Sequence, residues 1–312
     1  MTKRLALIDM GTNTFHLLIT EVDEGGNRTD FVKTKLPVRL GQGGISKGAI
    51  APEAYERALK TLRDFRKQID EYDVETVRAM ATSMVRNASN GDDFVKDVFK
   101  QTDIQVEIIE GEREAELIYY GVRSAGVLDE QTSLIMDIGG GSVEFIICNN
   151  QEIFWKQSFE VGAQRLMDRF FSADPIPDAE VAAEKRFLAE QLQPLTDSVE
   201  RYKPVRLIGA SGTFDTLCDI DALSHGDNTR QLSQPAAFSL QIADFYKIYQ
   251  ELLHKTHDER LAIPGMLEMR VDMIVLASIL VDFVLETYNL KEIRVSAYAL
   301  KEGVLAQALE SM

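Results

Sequence analysis

The sequence predicts a two-domain α/β protein built on an internal duplication, and three observations carry that prediction. Its 312 residues are enough for two domains with buried cores. A strand-rich opening followed by alternating helices and strands runs to about residue 124 and then starts again. The two openings superpose without a gap, Asp9-Met-Gly-Thr-Asn-Thr-Phe-His-Leu-Leu-Ile on Asp137-Ile-Gly-Gly-Gly-Ser-Val-Glu-Phe-Ile-Ile. No low-complexity tract or Pro/Gly linker parts the halves, so they are expected to face each other across a cleft.

In chain order, Leu5–Ile8 is a short apolar run ending at Asp9, and Phe15–Val22 is a second β-favouring run. Asp23-Glu24-Gly25-Gly26-Asn27 reads as a hairpin turn into a third strand, Arg28–Lys35. Pro52 opens a helix to about Tyr72, with Tyr55, Ala58, Leu59, Leu62 and Phe65 at helical spacing. A strand (Thr76–Ala81), a helix (Asp92–Lys100), a strand (Ile104–Ile109) and a helix (Glu112–Val122) complete this βββαβα unit. The second half repeats it with strands at Leu134–Met136, Val143–Cys148 and Ile153–Ser158. Helices follow at Ala163–Phe171, Asp178–Tyr202 and Gln241–His254, with strands at Val205–Ile208 and Ile293–Val295 and a closing helix at Ala299–Leu309.

Composition narrows the function. Fifty Asp and Glu against 34 Lys and Arg give a net charge of −16, which argues against a general nucleic-acid binder. Apolar residues make up 45% and charged residues 27%, a globular balance. The four histidines and two cysteines show no metal-ligand spacing, so zinc chemistry is not expected. Cys148 and Cys218 form no C-x-x-C pair. With neither a secretory signal nor a membrane-length apolar run, the reading is a cytoplasmic protein.

The two tips carry the chemistry. A hairpin tip rich in Gly, Ser and Thr can turn several amides toward one anion. Without Cβ atoms, Gly139, Gly140 and Gly141 let a phosphate approach the main chain, as Gly11 does in the first tip. Thr12, Thr14 and Ser142 add hydroxyls, and Asn13 an amide. Neither tip is a P-loop or a dinucleotide turn, because a strand follows each. A third turn, Gly209-Ala-Ser211-Gly212-Thr213, opens a helix whose N-terminus suits an anion.

These turns, in this order, resemble the two phosphate motifs and the nucleotide-side motif of the actin/Hsp70/sugar-kinase superfamily. More narrowly, Asp9-Met-Gly-Thr-Asn-Thr-Phe-His, Ala81-Thr-Ser-Met-Val-Arg-Asn-Ala-Ser-Asn, Glu114-Ala-Glu-Leu-Ile-Tyr-Tyr-Gly-Val and Asp137-Ile-Gly-Gly-Gly-Ser-Val-Glu resemble the exopolyphosphatase/guanosine-pentaphosphate phosphohydrolase (Ppx/GppA) family. Gly162-Ala-Gln-Arg-Leu and Ser296-Ala-Tyr-Ala-Leu-Lys-Glu-Gly extend the resemblance over essentially the whole chain. Met10 stands where Ile or Leu is usual, and Lys301 where Arg is usual; neither is expected to touch the chemistry. The additional C-terminal helical domains of longer members are expected to be absent.

The resemblance implies two actin-like (ribonuclease H-like) domains with mixed five-stranded sheets and an interdomain cleft. Their expected extents are 1–124, closed by a helix at 299–312, and 125–298. It implies Mg²⁺-dependent release of terminal orthophosphate from polyphosphate, or of the 5′-phosphate of guanosine pentaphosphate, with Mn²⁺ as the alternative metal. Glu114 matches the family's general base. Helical spacing puts it on one face with Leu117, Ile118 and Gly121, while Glu112 and Glu116 lean toward Tyr119 and Arg123. A partly buried carboxylate near phosphates is expected to have a raised pKa, as suits a base. Asp137 and Glu144 read as metal carboxylates, and Asp9 as their counterpart in the first half. Ser83 and Arg86, in a loop after strand Thr76–Ala81, are expected to hold a further phosphate, with Arg39 and Arg165 as lesser candidates. His16, Trp155 and the Tyr119-Tyr120 pair read as packing groups. A homodimer is left open. The rival readings are a superfamily phosphotransferase acting as a small-molecule kinase, and a non-catalytic nucleotide- or polyphosphate-sensing module.

Overall fold

A computed structural model describes residues 3–23, 28–227 and 235–310. The chain divides into two compact units, Met1–Glu114 with Val304–Met312, and Ala115–Gly303. The divisions do not fall at 124 and 299 as expected. They fall inside the helices α4 (Gly111–Ser124) and α12 (Leu300–Glu310), each of which runs on through its division without interruption.

In the first unit, strands β1 (Lys3–Met10), β2 (Phe15–Val22), β3 (Arg28–Leu36), β4 (Thr76–Ala81) and β5 (Val106–Ile108) form a mixed five-stranded sheet in the order β3-β2-β1-β4-β5. β1 pairs antiparallel with β2 and parallel with β4. Pro52 starts α1 (Pro52–Glu71), where its missing N–H costs nothing. Ala54, Ala58, Leu62, Phe65 and Ile69 recur every three or four residues along α1 and are buried in one core with Ile8, Leu17 and Ala79. The segment after β4 is not a loop but a short helix, α2 (Ser83–Asn87), followed by α3 (Gly91–Thr102). Asn87 closes α2 by donating from Nδ2 to the Ser83 carbonyl. The expected turn at Glu24–Asn27 lies outside the described residues.

The second unit repeats the plan. Strands β6 (Ser133–Ile138), β7 (Val143–Cys148), β8 (Ile153–Phe159), β9 (Arg206–Ala210), β10 (Ala237–Leu240) and β11 (Ile293–Ser296) run in the order β10-β11-β9-β6-β7-β8. Reading from β8 to β11 reproduces the first sheet, strand for strand and sense for sense. The structure therefore has the predicted duplication, with one correction. This sheet has six strands rather than five, because Ala237–Leu240 adds itself antiparallel to β11. Four residues at a half-exposed edge leave too short an alternation to be read from sequence.

Helices α5 (Ala163–Phe170), α6 (Asp178–Gln191), α7 (Gln193–Tyr202), α8 (Ser211–Ser224), α9 (Ile242–His254), α10 (His257–Leu261) and α11 (Met273–Thr287) complete the unit. The single helix expected over 178–202 breaks at Leu192, where Pro194 enters the first turn of α7 with no N–H to continue the ladder. α11 is buried on every side from Ile274 to Leu285, and so reads as a core helix rather than an amphipathic one.

Two packing features of this unit give measurable expectations. α4 and α12 meet backbone to backbone. A Cβ on Gly121 would stand 2.0 Å from the Ala299 carbonyl oxygen, and one on Gly303 would stand 1.7 Å from that of Leu117. In a helix interior alanine is usually better than glycine by about 0.5–1 kcal/mol. Here Gly303→Ala is expected to cost about 2 kcal/mol or more, because backbone has to move. Denaturant midpoints check this; an unchanged midpoint would show that the helices part freely.

Glu184 on α6 is fully buried, and neither carboxylate oxygen accepts a hydrogen bond among the described residues. Burial pushes its pKa well up, and the neighbouring Lys185 only partly offsets this. An acid whose pKa rises on folding loses stability as pH climbs above its unfolded value. Glu184→Met is therefore expected to raise the melting temperature at pH 8 by more than at pH 4; a gain independent of pH would contradict the assignment.

Candidate active site

The first tip, Gly11–Thr14, joins β1 to β2. It is closed by the Gly11 amide on the Thr14 carbonyl at 3.1 Å. The Thr12 and Asn13 carbonyls accept from the amides of Gly41 (2.9 Å) and Arg39 (2.8 Å). In a trans peptide the C=O and the following N–H point in opposite directions. The amides of Asn13 and Thr14 consequently face away from the 39–41 loop. Gly41 leaves room for the Thr12 methyl, since a Cβ there would lie 2.6 Å from Thr12 Cγ2 and push that side chain aside. Arg39, with φ +51°, contributes backbone to this brace, and Arg57 holds the loop through the Val38 and Arg39 carbonyls.

The second tip, Gly139–Ser142, closes in the same way, with the Gly139 amide on the Ser142 carbonyl at 3.0 Å. Its brace is the N-terminus of α5. The carbonyls of Gly139, Gly140 and Gly141 accept from the amides of Ala163 (2.9 Å), Gln164 (2.9 Å) and Gly162 (3.2 Å). Three successive carbonyls thus point at α5, and the amides of Gly140, Gly141 and Ser142 point the other way. That is a ready concavity of N–H donors. Gly162 permits the contact, because a Cβ there would stand 2.5 Å from Gly140 and Gly141 backbone atoms. Arg165 donates from Nε to the Gly141 carbonyl at 2.8 Å, so it braces the tip from the α5 side.

Strand register lines up the acidic groups. Asp137 of β6 sits opposite Glu144 of β7, which sits opposite Ser158 of β8. Both carboxylates therefore occupy one face of the sheet, with Cβ atoms about 5 Å apart. Both are buried, and Ser158 donates to Glu144 Oε1 at 2.7 Å. In the first unit Asp9 takes the place of Asp137, but the residue opposite it is His16, not an acid.

The third turn differs from expectation. Gly209 and Ala210 end β9, and Ser211 enters α8 with φ +66°. The space above Gly212 is filled from within the unit, since a Cβ there would lie 1.6 Å from Arg270 Nη2. Burial pushes the Asp137 carboxyl up to about 6. A hydrogen bond from Ser211 opposes the shift, Asp215 adds to it, and the charges of Arg270 and Lys301 pull it down. Lys301 thus acts on a proposed site carboxylate, contrary to the sequence reading that set it aside. Asp215 and Arg270 went unnoticed in the sequence. Arg270 lies far from either tip in the chain, and only the packing of Glu268–Arg270 over α8 brings it there.

Glu114 belongs to the first unit. It is 6% exposed, while Glu112 is exposed and Glu116 half-buried. Its Oε2 receives Arg86 Nη1 at 3.0 Å, and the same nitrogen reaches the Ile109 carbonyl at 2.9 Å. Arg86 and Ser83 come from α2; Ser83 is buried. Arg86, expected on a phosphate, thus also fixes the orientation of Glu114. Trp155 packs against Phe159, and Arg123 stacks on Tyr119 and Tyr120, so these aromatics are packing groups.

Known proteins resemble this chain in sequence and fold. The chain is 30% identical to exopolyphosphatase 2 of Mycobacterium tuberculosis, covering 96% of this chain and 97% of that one. It is also 30% identical to a bifunctional 3-dehydroquinate synthase/phosphatase of Fusobacterium nucleatum, matching 98% of itself but spanning only 46% of that relative. Among solved structures, an exopolyphosphatase from Cytophaga hutchinsonii superposes with a TM-score of 0.95 at 45% identity over 99% of both chains. The Aquifex aeolicus member of the Ppx/GppA family gives 0.81 at 25% identity, covering 100% of this chain and 99% of that one. With residues 18–312 matching its family model, the chain belongs to the Ppx/GppA phosphatase family.

Proposed function

We propose that this protein is an exopolyphosphatase that removes terminal orthophosphate from inorganic polyphosphate by attack of water, with Glu114 as general base. The observation that carries the reading is Glu114 itself, a buried carboxylate held in one orientation by Arg86. Glu114 takes a proton from water as the water oxygen forms its bond to the terminal phosphorus. The anhydride P–O bond breaks, and its electron pair leaves with the penultimate phosphate, an anion that needs no proton. The amides of Asn13, Thr14, Gly140, Gly141 and Ser142, with the hydroxyls of Thr12, Thr14, Ser83 and Ser142, are assigned to phosphoryl oxygens. Gly11, Gly139, Ser211 and Gly212 shape the turns, and Arg86 and Arg270 add positive charge.

Two buried carboxylates abreast on one sheet face are hard oxygen donors whose charges need an offset, which fits a magnesium ion better than a softer one. Asp137 and Glu144 are the residues that would hold Mg²⁺, or Mn²⁺ in its place. The ion would neutralise charge on the transferred phosphoryl group. Asp9 is assigned to orienting water. Guanosine pentaphosphate presents the same terminal linkage, and the family name supports it as a second substrate.

The deciding experiment measures phosphate release from polyphosphates of several lengths and from guanosine pentaphosphate, comparing wild type with Glu114→Gln. The expected result is retained binding with turnover reduced at least about a hundredfold, the usual scale of general-base loss. Undiminished release would remove Glu114 from the mechanism. ADP formed from ATP and an acceptor without free phosphate would replace hydrolysis by phosphotransfer.

The raised pKa of Asp137 gives a pH test. Protonation below about 6 competes with the metal for the same oxygens. The Mg²⁺ concentration needed for half-maximal activity is expected to rise about tenfold for each pH unit below that value. A requirement flat from pH 7 to pH 5 would exclude Asp137 as a ligand.

A further inference from the structure

We propose that the C-terminal end of α8 and the first turn of α9 form a site for a first-row divalent transition ion, with zinc the foremost candidate. The residues are Asp221, His225 and Asp244, whose candidate ligand atoms all lie within 4.8 Å of one another. Asp221 and His225 stand four apart and so share one side of α8, while Asp244 comes from the next helix. Ligand atoms around a tetrahedral zinc lie about 3.3 Å apart, given bonds of about 2.0 Å, so closing the set takes side-chain rotation. His225 Nδ1, 3.0 Å from the Asp221 carbonyl, either leaves that partner or keeps it while Nε2 serves as the ligand.

The cluster is more than a patch of acid. Asp221 Oδ1 is buried, accepts no hydrogen bond among the described residues, and lies 3.5 Å from His225 Nδ1. The negative end of α8 adds to the attraction for a cation. Lys247 reaches Asp244 at 2.6 Å from an exposed position, and such a pair is weak competition. One imidazole nitrogen with two carboxylates suits zinc, cobalt or manganese better than magnesium, which prefers oxygen alone. The site escaped the sequence because its third ligand follows 19 residues after His225.

Ser211 and His225 lie at opposite ends of α8, about 20 Å apart at 1.5 Å per residue. The site is therefore separate from the Asp137 row. An ion there would tie α8 to α9 and act on stability rather than on turnover.

The test uses the full chain, stripped of metal with chelator and titrated with Co²⁺ while visible absorption is followed. Zn²⁺-dependent melting is measured alongside. Wild type is expected to take up one more equivalent of Co²⁺ than His225→Ala. Its melting temperature should rise by several degrees with Zn²⁺, a rise lost in His225→Ala and in the surface variant Asp244→Asn. Phosphate release with Mg²⁺ should stay within twofold in His225→Ala. Equal Co²⁺ stoichiometry and spectra in wild type and His225→Ala, or equal Zn²⁺-dependent melting in all three proteins, would overturn the proposal.

Discussion

A trans peptide ties each carbonyl to the amide that follows it, and the second glycine tip is organised by that constraint. α5 opens with amides that have no partner inside the helix, and the Gly139, Gly140 and Gly141 carbonyls satisfy them. Once those carbonyls are committed, the amides of residues 140–142 have only one direction left. The steric requirement falls on Gly162 at the cap of the helix, since a Cβ there would stand 2.5 Å from the Gly140 and Gly141 backbone and the two segments could not come so near. The first tip reaches the same result by another route, using the 39–41 loop where the second uses a helix.

The duplication has been conserved in outline and spent differently in detail. Strand order and turn closure are common to both units, down to the hydrogen bond from the glycine amide to the carbonyl three residues on. Side chains diverge at the next position that matters. The acid opposite Asp137 is Glu144, whereas the partner opposite Asp9 is His16. Carboxylate pairing belongs to the second unit alone among these two rows. The buried carboxylate that Arg86 holds, Glu114, belongs to the first.

Much of this was legible in the sequence because it rests on local pattern. The tips, the helical spacing of α1 and the inward side of α4 are set by residues close together in the chain. What stayed hidden depends on packing between distant segments. Arg270 acquires its place by occupying the space that Gly212 leaves, and nothing in the spacing of either residue announces the other. Arg165, which a charge-based reading sends to a phosphate, is drawn instead to a main-chain oxygen. The break at Leu192 is local in origin, because Pro194 in the first turn of α7 has no N–H to continue the ladder.

The alternation of a β-hairpin makes the Asp137–Glu144 alignment depend on the number of residues between them. Inserting or deleting a single tip residue would slip β7 by one place and swing Glu144 to the opposite side of the sheet. The hairpin could still pair along most of its length and the fold survive, yet the two acids would no longer share a face. Surface loops ordinarily tolerate changes in length. This one should not, and natural variation here is expected as replacement of residues at constant count.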